Sequence, residues 1–300
     1  MQAVATLKKI GVTFAGLMAS GAAMAQGTLP DLPTLGKPHA HGIGFQNPAT
    51  ELMSDVIWMD SFLLWIITII SIFVTVLLLI CIFRYNEKRN PKPATFTHNS
   101  ALEVAWTVVP ILILIAIIPP SLTLLFKQQE IPEADVTIKA TGNQWYWTHE
   151  YVDSDFGFDS FMLPKDKLAE NGYAPDEYLL ATDTAVVIPT GKTIVVQVTG
   201  ADVIHAWAMP AFGVKQDAVP GRLAQLWFKV DEGKEGVYFG QCSELCGKDH
   251  SYMPITVKAV SQADYDIWLE GAKEEYANVP STVKVADLNL QMVQNAETVD

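Results

Sequence analysis

Apolar residues follow three different patterns along this chain. Two unbroken runs, residues 61–83 and 104–126, each hold 23 positions without a charged side chain. At about 1.5 Å per helical residue either run crosses the roughly 30 Å of a bilayer's hydrocarbon, so a two-helix membrane hairpin is predicted. Pro110, Pro119 and Pro120 are expected to kink or end the second helix, a break best tolerated where protein neighbours satisfy the freed backbone groups. After Lys127 the pattern shortens to alternating or β-branched runs between turn signals: 136–140, 144–151, 185–188, 193–198, 225–230, 236–239 and 255–260. Strands so spaced predict a sandwich or barrel, capped by a helix over 263–273. The third pattern is the Gly- and Ala-rich stretch 10–24, which follows Lys8 and Lys9 and closes on Ala23-Met24-Ala25. That is a secretory signal peptide, residues 1–25, cleaved before Gln26.

The connection at 84–103 carries Arg84, Lys88, Arg89 and Lys92 against Glu87 and Glu103. By the positive-inside rule it is cytoplasmic. Both ends of the mature chain are then outside, as the signal peptide independently requires. The expected division is a signal peptide, an N-terminal arm at 26–55, the hairpin at 56–126, an outer β domain at 127–270 and a tail at 271–300. The arm and residues 276–300 are expected to be loosely structured. The hairpin is expected to pack against lipid and a larger membrane partner.

The 300 residues are 50% hydrophobic with net charge −13, and the part from Lys127 onward holds 27 acidic against 13 basic residues. An acidic outer domain either faces a basic partner or simply stays soluble, and charge alone does not choose. No internal repeat, nucleotide-binding glycine loop or nucleophile–base arrangement is found, and no nucleic-acid partner is expected.

The densest chemistry is Cys242-Ser-Glu-Leu-Cys246-Gly-Lys-Asp-His250-Ser-Tyr-Met253, with His205 upstream. Thiolate, thioether and imidazole together favour an electron-transfer copper. Structural zinc would use two Cys and two His but leave Met253 unexplained, and two cysteines in an exported chain can also form a disulfide. A second thiol four residues after the first can bridge two metal ions, so the spacing favours a dinuclear copper centre. Cys81, inside an apolar run, reads as a small buried hydrophobe.

At these residues the chain resembles subunit II of the bacterial aa-type haem-copper cytochrome c oxidases, from the hairpin to about residue 270. The matching motifs are Gln144-Trp-Tyr-Trp, Asp202-Val-Ile-His-Ala-Trp, Asp217-Ala-Val-Pro-Gly-Arg and Gly240-Gln-Cys-Ser-Glu-Leu-Cys-Gly. The resemblance implies a cupredoxin-like Greek-key barrel after the hairpin. It implies a copper A centre of two copper ions held by His205, Cys242, Cys246, His250, Met253 and the Glu244 carbonyl. The Glu244 carboxylate would reach a magnesium ion shared with the catalytic subunit; the alternative is a carboxylate that only hydrogen-bonds the loop. Both histidines are expected to anchor their free ring nitrogens. Trp145 would take up electrons from a c-type cytochrome docked on Glu150, Asp159, Asp183 and Asp202, although an aromatic triplet on a strand is more often core. Glu103 would stand at the mouth of a proton path; a capping box from Ser100 to Glu103 explains it equally well.

The chain would thus be the electron-accepting subunit of an enzyme that reduces oxygen and pumps protons in the inner membrane. Haems and a second copper would lie in subunit I, beside subunit III. A membrane-anchored periplasmic copper carrier, or another copper electron-transfer protein, is the alternative.

Overall fold

A computed structural model of the chain describes residues 29–92 and 94–276. The expected signal peptide, and the tail beyond residue 276, lie outside the described residues. Two compact units emerge, a helical one over 52–130 and a β unit built from the segments on either side.

The helical unit contains α1 (Glu51–Arg84) and α2 (Ser100–Gln129). At 34 and 30 residues both outlast the apolar runs that predict them. The prolines do not end α2, which continues through Pro110, Pro119 and Pro120; each proline removes a single N–H and leaves the remaining ladder to carry the helix. The cap also differs from the Ser100 reading. Asn99 is the N-cap: its side chain accepts from the Leu102 N–H at 3.2 Å, while its own N–H donates to Glu103 at 3.3 Å. Asparagine caps at least as well as serine, so the box closes one residue earlier. Near the opposite ends of these helices Lys127 and Asp55 pair at 2.6 Å. Apolar side chains such as Trp65, Ile69 and Phe126 stand exposed along the helices, a surface that lipid or protein must cover.

The β unit places all seven expected strands and adds four. In chain order they are β1 (Thr34–Gly36), β2 (Val136–Asn143), β3 (Tyr146–Tyr151), β4 (Phe156–Ser160), β5 (Val186–Pro189), β6 (Ile194–Gly200), β7 (His205–Met209), β8 (Val214–Ala218), β9 (Ala224–Phe228), β10 (Gly236–Gln241) and β11 (Pro254–Val260). One sheet runs β1-β10-β11-β5 and the other β4-β3-β2-β6-β9, with β7 and β8 as a separate antiparallel pair. Ile138, Trp147, Val196, Phe228, Tyr238, Ile255 and Val257 are fully buried in a single core. The Tyr151 hydroxyl donates to the Val187 carbonyl at 2.7 Å and accepts its N–H at 2.9 Å, so β3 of one sheet is tied to β5 of the other.

Two edges of the barrel are closed by segments outside the strands predicted. Residues 29–50 are not the loose arm expected. β1 pairs in parallel with β10, and Ala49 both donates to Ala211 and accepts from Asp231. Backbone groups along a barrel edge need partners, and this segment supplies them. The helix α3 (Gln262–Tyr276) extends into the expected tail and buries Tyr265, Trp268 and Ala272 at helical spacing. Ser261 opens it by accepting the Asp264 N–H at 3.2 Å.

His149 on β3 is buried between Trp207, whose indole N–H donates to Nε2 at 3.4 Å, and Ser160 at 3.3 Å from Nδ1. Burial pulls its pKa from 6.5 to about 3, so the fold holds it neutral. A depressed histidine contributes stability fully above pH 6.5 and loses it as pH falls toward 3, at up to about 1.4 kcal/mol per unit. Thermal unfolding of wild type and His149→Gln should therefore show a gap at pH 7 that narrows by pH 5; a gap independent of pH would mean that His149 takes a proton in the fold without cost.

Candidate metal centre

The site occupies the end of the barrel where β10 stops at Gln241 and β11 starts at Pro254, opposite each other in register. The connecting loop therefore leaves and re-enters the same edge. It carries Cys242, Cys246, His250 and Met253, and His205 is the first residue of β7. The Ser243 N–H donates to the Ala206 carbonyl at 3.0 Å, joining the loop to β7. His205, Cys242, Cys246 and Met253 are buried.

The donor atoms converge. Cys242 Sγ lies 3.9 Å from His205 Nδ1, 3.3 Å from the Glu244 carbonyl oxygen and 3.9 Å from Cys246 Sγ. Cys246 Sγ lies 3.5 Å from His250 Nδ1 and 3.4 Å from Met253 Sδ. A disulfide requires about 2.05 Å between sulfurs. Thiolates sharing a metal at about 2.3 Å stand nearly 4 Å apart, so the spacing fits a shared ion. Ionising both thiols needs a cation. Burial opposes ionisation of Cys242, but hydrogen bonding with His205, the Glu244 and Ala206 main chain and His250 outweighs it and brings the pKa to about 7. Burial and then the Cys242 charge push Cys246 up to about 12. Two thiolates side by side thus require positive charge between them, which soft metal ions supply.

Glycines set the approach of the ligand-bearing strands. A Cβ on Gly142 would sit 2.8 Å from the His205 ring, and one on Gly240 would sit 2.1 Å from the Ala208 carbonyl oxygen. On its outer side His205 donates from Nε2 to Asp202 at 2.8 Å. Asp202, expected as a docking acid, is thus the acceptor that orients the His205 ring. Burial would raise its carboxyl pKa, but the bonds from His205, Val203 and Gln144 outweigh burial and lower it.

The other expected residues occupy varied settings. Gln144 and Trp145 form the turn between β2 and β3, joined by a cis peptide bond. The Trp145 indole N–H donates to the Cys246 carbonyl at 3.2 Å, and Lys248 stands 5.4 Å above the ring. Tyr146 stacks on Phe161. Trp147 is core, lies edge-on to His205 and donates to the Met253 carbonyl at 3.3 Å. Glu150 pairs with Lys139 at 2.9 Å. Asp159 accepts from Thr148 at 2.6 Å, and Asp183 accepts the Phe161 and Thr184 N–H groups. Glu244 is exposed on the loop, and Glu103 is exposed in the first turn of α2. Sequence reasoning missed Gly142, Gln144 as an individual contact and Lys248. For Gly142 the only signal is a glycine at the end of a β-branched strand.

Fold and donor set together define a membrane-anchored, cupredoxin-like protein with a soft-metal site. The profile for "Cytochrome C oxidase subunit II, transmembrane domain" matches residues 38–124, and that for "Cytochrome C oxidase subunit II, periplasmic domain" matches residues 136–260. Cytochrome c oxidase subunit 2 of Cereibacter sphaeroides is 55% identical over 282 residues, covering 89% of this chain and 92% of its own. The probable cytochrome c oxidase subunit 2 of Rickettsia bellii is 44% identical over 238 residues, 79% of this chain and 86% of its own. The crystal structure of the periplasmic domain of subunit II of cytochrome oxidase from Bradyrhizobium japonicum is 52% identical, covers 49% of this chain and 99% of its own, and has a TM-score of 0.43. The chain belongs to the cytochrome c oxidase subunit II family. It is a membrane protein with a periplasmic domain, takes the electron-accepting role in the oxidase, and works as one subunit of an oxidoreductase; the family implies a copper A centre.

A methyl group on Gly142 should test the strand approach. Gly142→Ala should leave the chain folded but lower bound copper by at least half and alter its spectrum, read by metal analysis and electron paramagnetic resonance. Full copper with an unchanged spectrum would mean that His205 does not depend on that contact.

Proposed function

We propose that this chain receives single electrons from a c-type cytochrome at a dinuclear copper A centre and passes them to the haem of catalytic subunit I, where oxygen is reduced to water and protons are pumped. The observation that carries this reading is the convergence of His205, Cys242, Cys246, His250, Met253 and the Glu244 carbonyl around two thiols 3.9 Å apart. These residues would hold two copper ions, which when bound share one electron across the thiolate bridge and so change their bond lengths little. The protein's contribution is to hold the donors still. Asp202 fixes the His205 ring, the β10–β11 register fixes the two ends of the loop, and burial excludes water.

Trp145 is the port of uptake in this reading, because its indole N–H rests on the carbonyl of Cys246. The aspartates Asp159, Asp183 and Asp202, with Glu150, would receive a basic donor face. The exposed Glu244 carboxylate would hold magnesium at the boundary with subunit I, and Glu103, at the start of α2 on the cytoplasmic side, would open a proton path into that subunit. The hairpin would lie in the inner membrane against subunits I and III, with both chain termini in the periplasm.

Electron paramagnetic resonance of the oxidised, copper-loaded chain should show one unpaired electron shared over two copper nuclei, and Cys246→Ser should abolish that pattern. A single-copper spectrum would return the site to a blue-copper or carrier reading. Steering by the acids predicts that association with a basic cytochrome slows at least about tenfold between about 0.01 and 0.1 M salt, as the screening length shrinks from about 30 to about 10 Å. A rate indifferent to salt would remove the acids from docking.

A further inference from the structure

Gln144 is the exposed residue next to the proposed uptake ring, and its two hydrogen-bonding arms point in different directions. Its main-chain N–H donates to Asp202 Oδ2 at 2.8 Å. The other oxygen of Asp202 receives His205 Nε2 at 2.8 Å. Its side-chain Nε2 donates to the Cys246 carbonyl at 2.8 Å, the same oxygen that the Trp145 indole N–H reaches at 3.2 Å. A carbonyl can only accept, so the amide nitrogen has to face it. One residue thus links the copper loop at Cys246 to the carboxylate that holds His205, and it lies 102 and 58 residues from these two partners.

The ring beside it is seated on main chain. Gly247 has φ of +126°, and a Cβ there would meet the Trp145 ring at 3.0 Å. Trp145 therefore has its N–H on Cys246 and its edge on Gly247, and Gln144 holds the carbonyl that both of them share. A single exposed hydrogen bond contributes little to stability. Its effect on electron transfer is larger than that, because donor-to-acceptor coupling depends steeply on the closeness and persistence of each through-bond contact.

We propose that Gln144 is a positioning residue for electron uptake: it pins the Cys246 carbonyl against the Trp145 indole and so fixes the contact between ring and metal loop. This rests on the reading of Trp145 as the port. Gln144 touches neither metal nor donor in this role, and it acts through Cys246.

The test uses the assembled oxidase and a reduced c-type cytochrome at low salt, with three readings: saturated uptake rate, KM for the donor, and the copper resonance spectrum with bound copper. Gln144→Met keeps the length and removes the donor. It should lower the saturated uptake rate at least tenfold while leaving KM, copper content and spectrum as in wild type. Trp145→Phe removes the indole N–H, and in the double variant the two losses should not multiply, since both act through one carbonyl. A Gln144→Met enzyme whose KM alone rises has lost a docking contact, which overturns the proposal. So does a changed copper spectrum, which would make Gln144 a support of the metal loop instead. A normal uptake rate in Trp145→Ala sinks the port reading itself, whereas slow Trp145→Ala beside normal Gln144→Met sinks only the role of Gln144.

Discussion

The contact on which the site depends is a backbone approach without room for a side chain. Gly240, two residues before Cys242, lies against the Ala208 carbonyl of β7, where an added Cβ would stand only 2.1 Å away. Main chain cannot yield as the end of a flexible side chain can, so β7 and the end of β10 have essentially one spacing. That spacing sets how far His205, at the start of β7, stands from Cys242, just past the end of β10. The Ser243–Ala206 bond then locks the loop onto β7 at the same level, and Gly142 on β2 lets the His205 ring occupy the space that any other residue would fill. Two glycines on two strands thus fix where a nitrogen and a sulfur meet.

From that spacing the rest of the site follows by hydrogen bonding outward. Asp202 takes His205 on one oxygen and Gln144 on the other, and Gln144 and Trp145 share the Cys246 carbonyl. Trp147, buried beneath, holds the Met253 carbonyl. The segments that carry His205, Cys246 and Met253 are therefore each held by groups outside the donor set. An arrangement so constrained suits electron transfer, where a donor set that moves between oxidation states slows the reaction, and suits a carrier poorly, because release requires a site that opens.

What was legible in the sequence, and what was not, separates along a physical line. The hairpin, seven strands and α3 follow from periodicity, because each buries a face large enough to leave a pattern. The Cys242-to-Met253 loop was legible because soft donors rarely gather so densely. β8, with alternating half-exposed residues, and β1, three residues long, leave no such trace. The strapping of residues 29–50 onto the barrel edge was missed because its bonds are made by backbone, which composition does not report. Asn99 as the cap of α2 was missed because Ser100 gives the tidier three-residue spacing to Glu103. The Asp202–His205 bond was expected only as some acceptor for a free ring nitrogen; which acid supplies it depends on the turn that β6 and β7 make, a tertiary fact. Gln144 is further still from legibility, since its partners lie 58 and 102 residues away.

The acids proposed for docking would serve the fold and a partner with the same carboxylates. Asp159 is held by Thr148, Asp183 by two main-chain N–H groups and Asp202 by three donors. Burial raises the Asp183 carboxyl pKa, and the hydrogen bonds at that residue work against the rise and favour its charged form. A carboxylate oriented in advance loses little side-chain freedom when a lysine approaches it, whereas a free surface glutamate would lose most of its own. Glu150, already facing Lys139 at 2.9 Å, has part of its field cancelled nearby. In the proposed docking the attraction for a basic donor would therefore come mainly from the three aspartates, since Lys248, at 5.4 Å from the Trp145 ring, is itself met by Asp249 at 3.5 Å. An ion pair there adds little net charge beside the ring, so a docked donor would bring a low-charge patch to the tryptophan and its lysines to the acids. On the proposed reading, the geometry of charge near Trp145 would select orientation as well as partner.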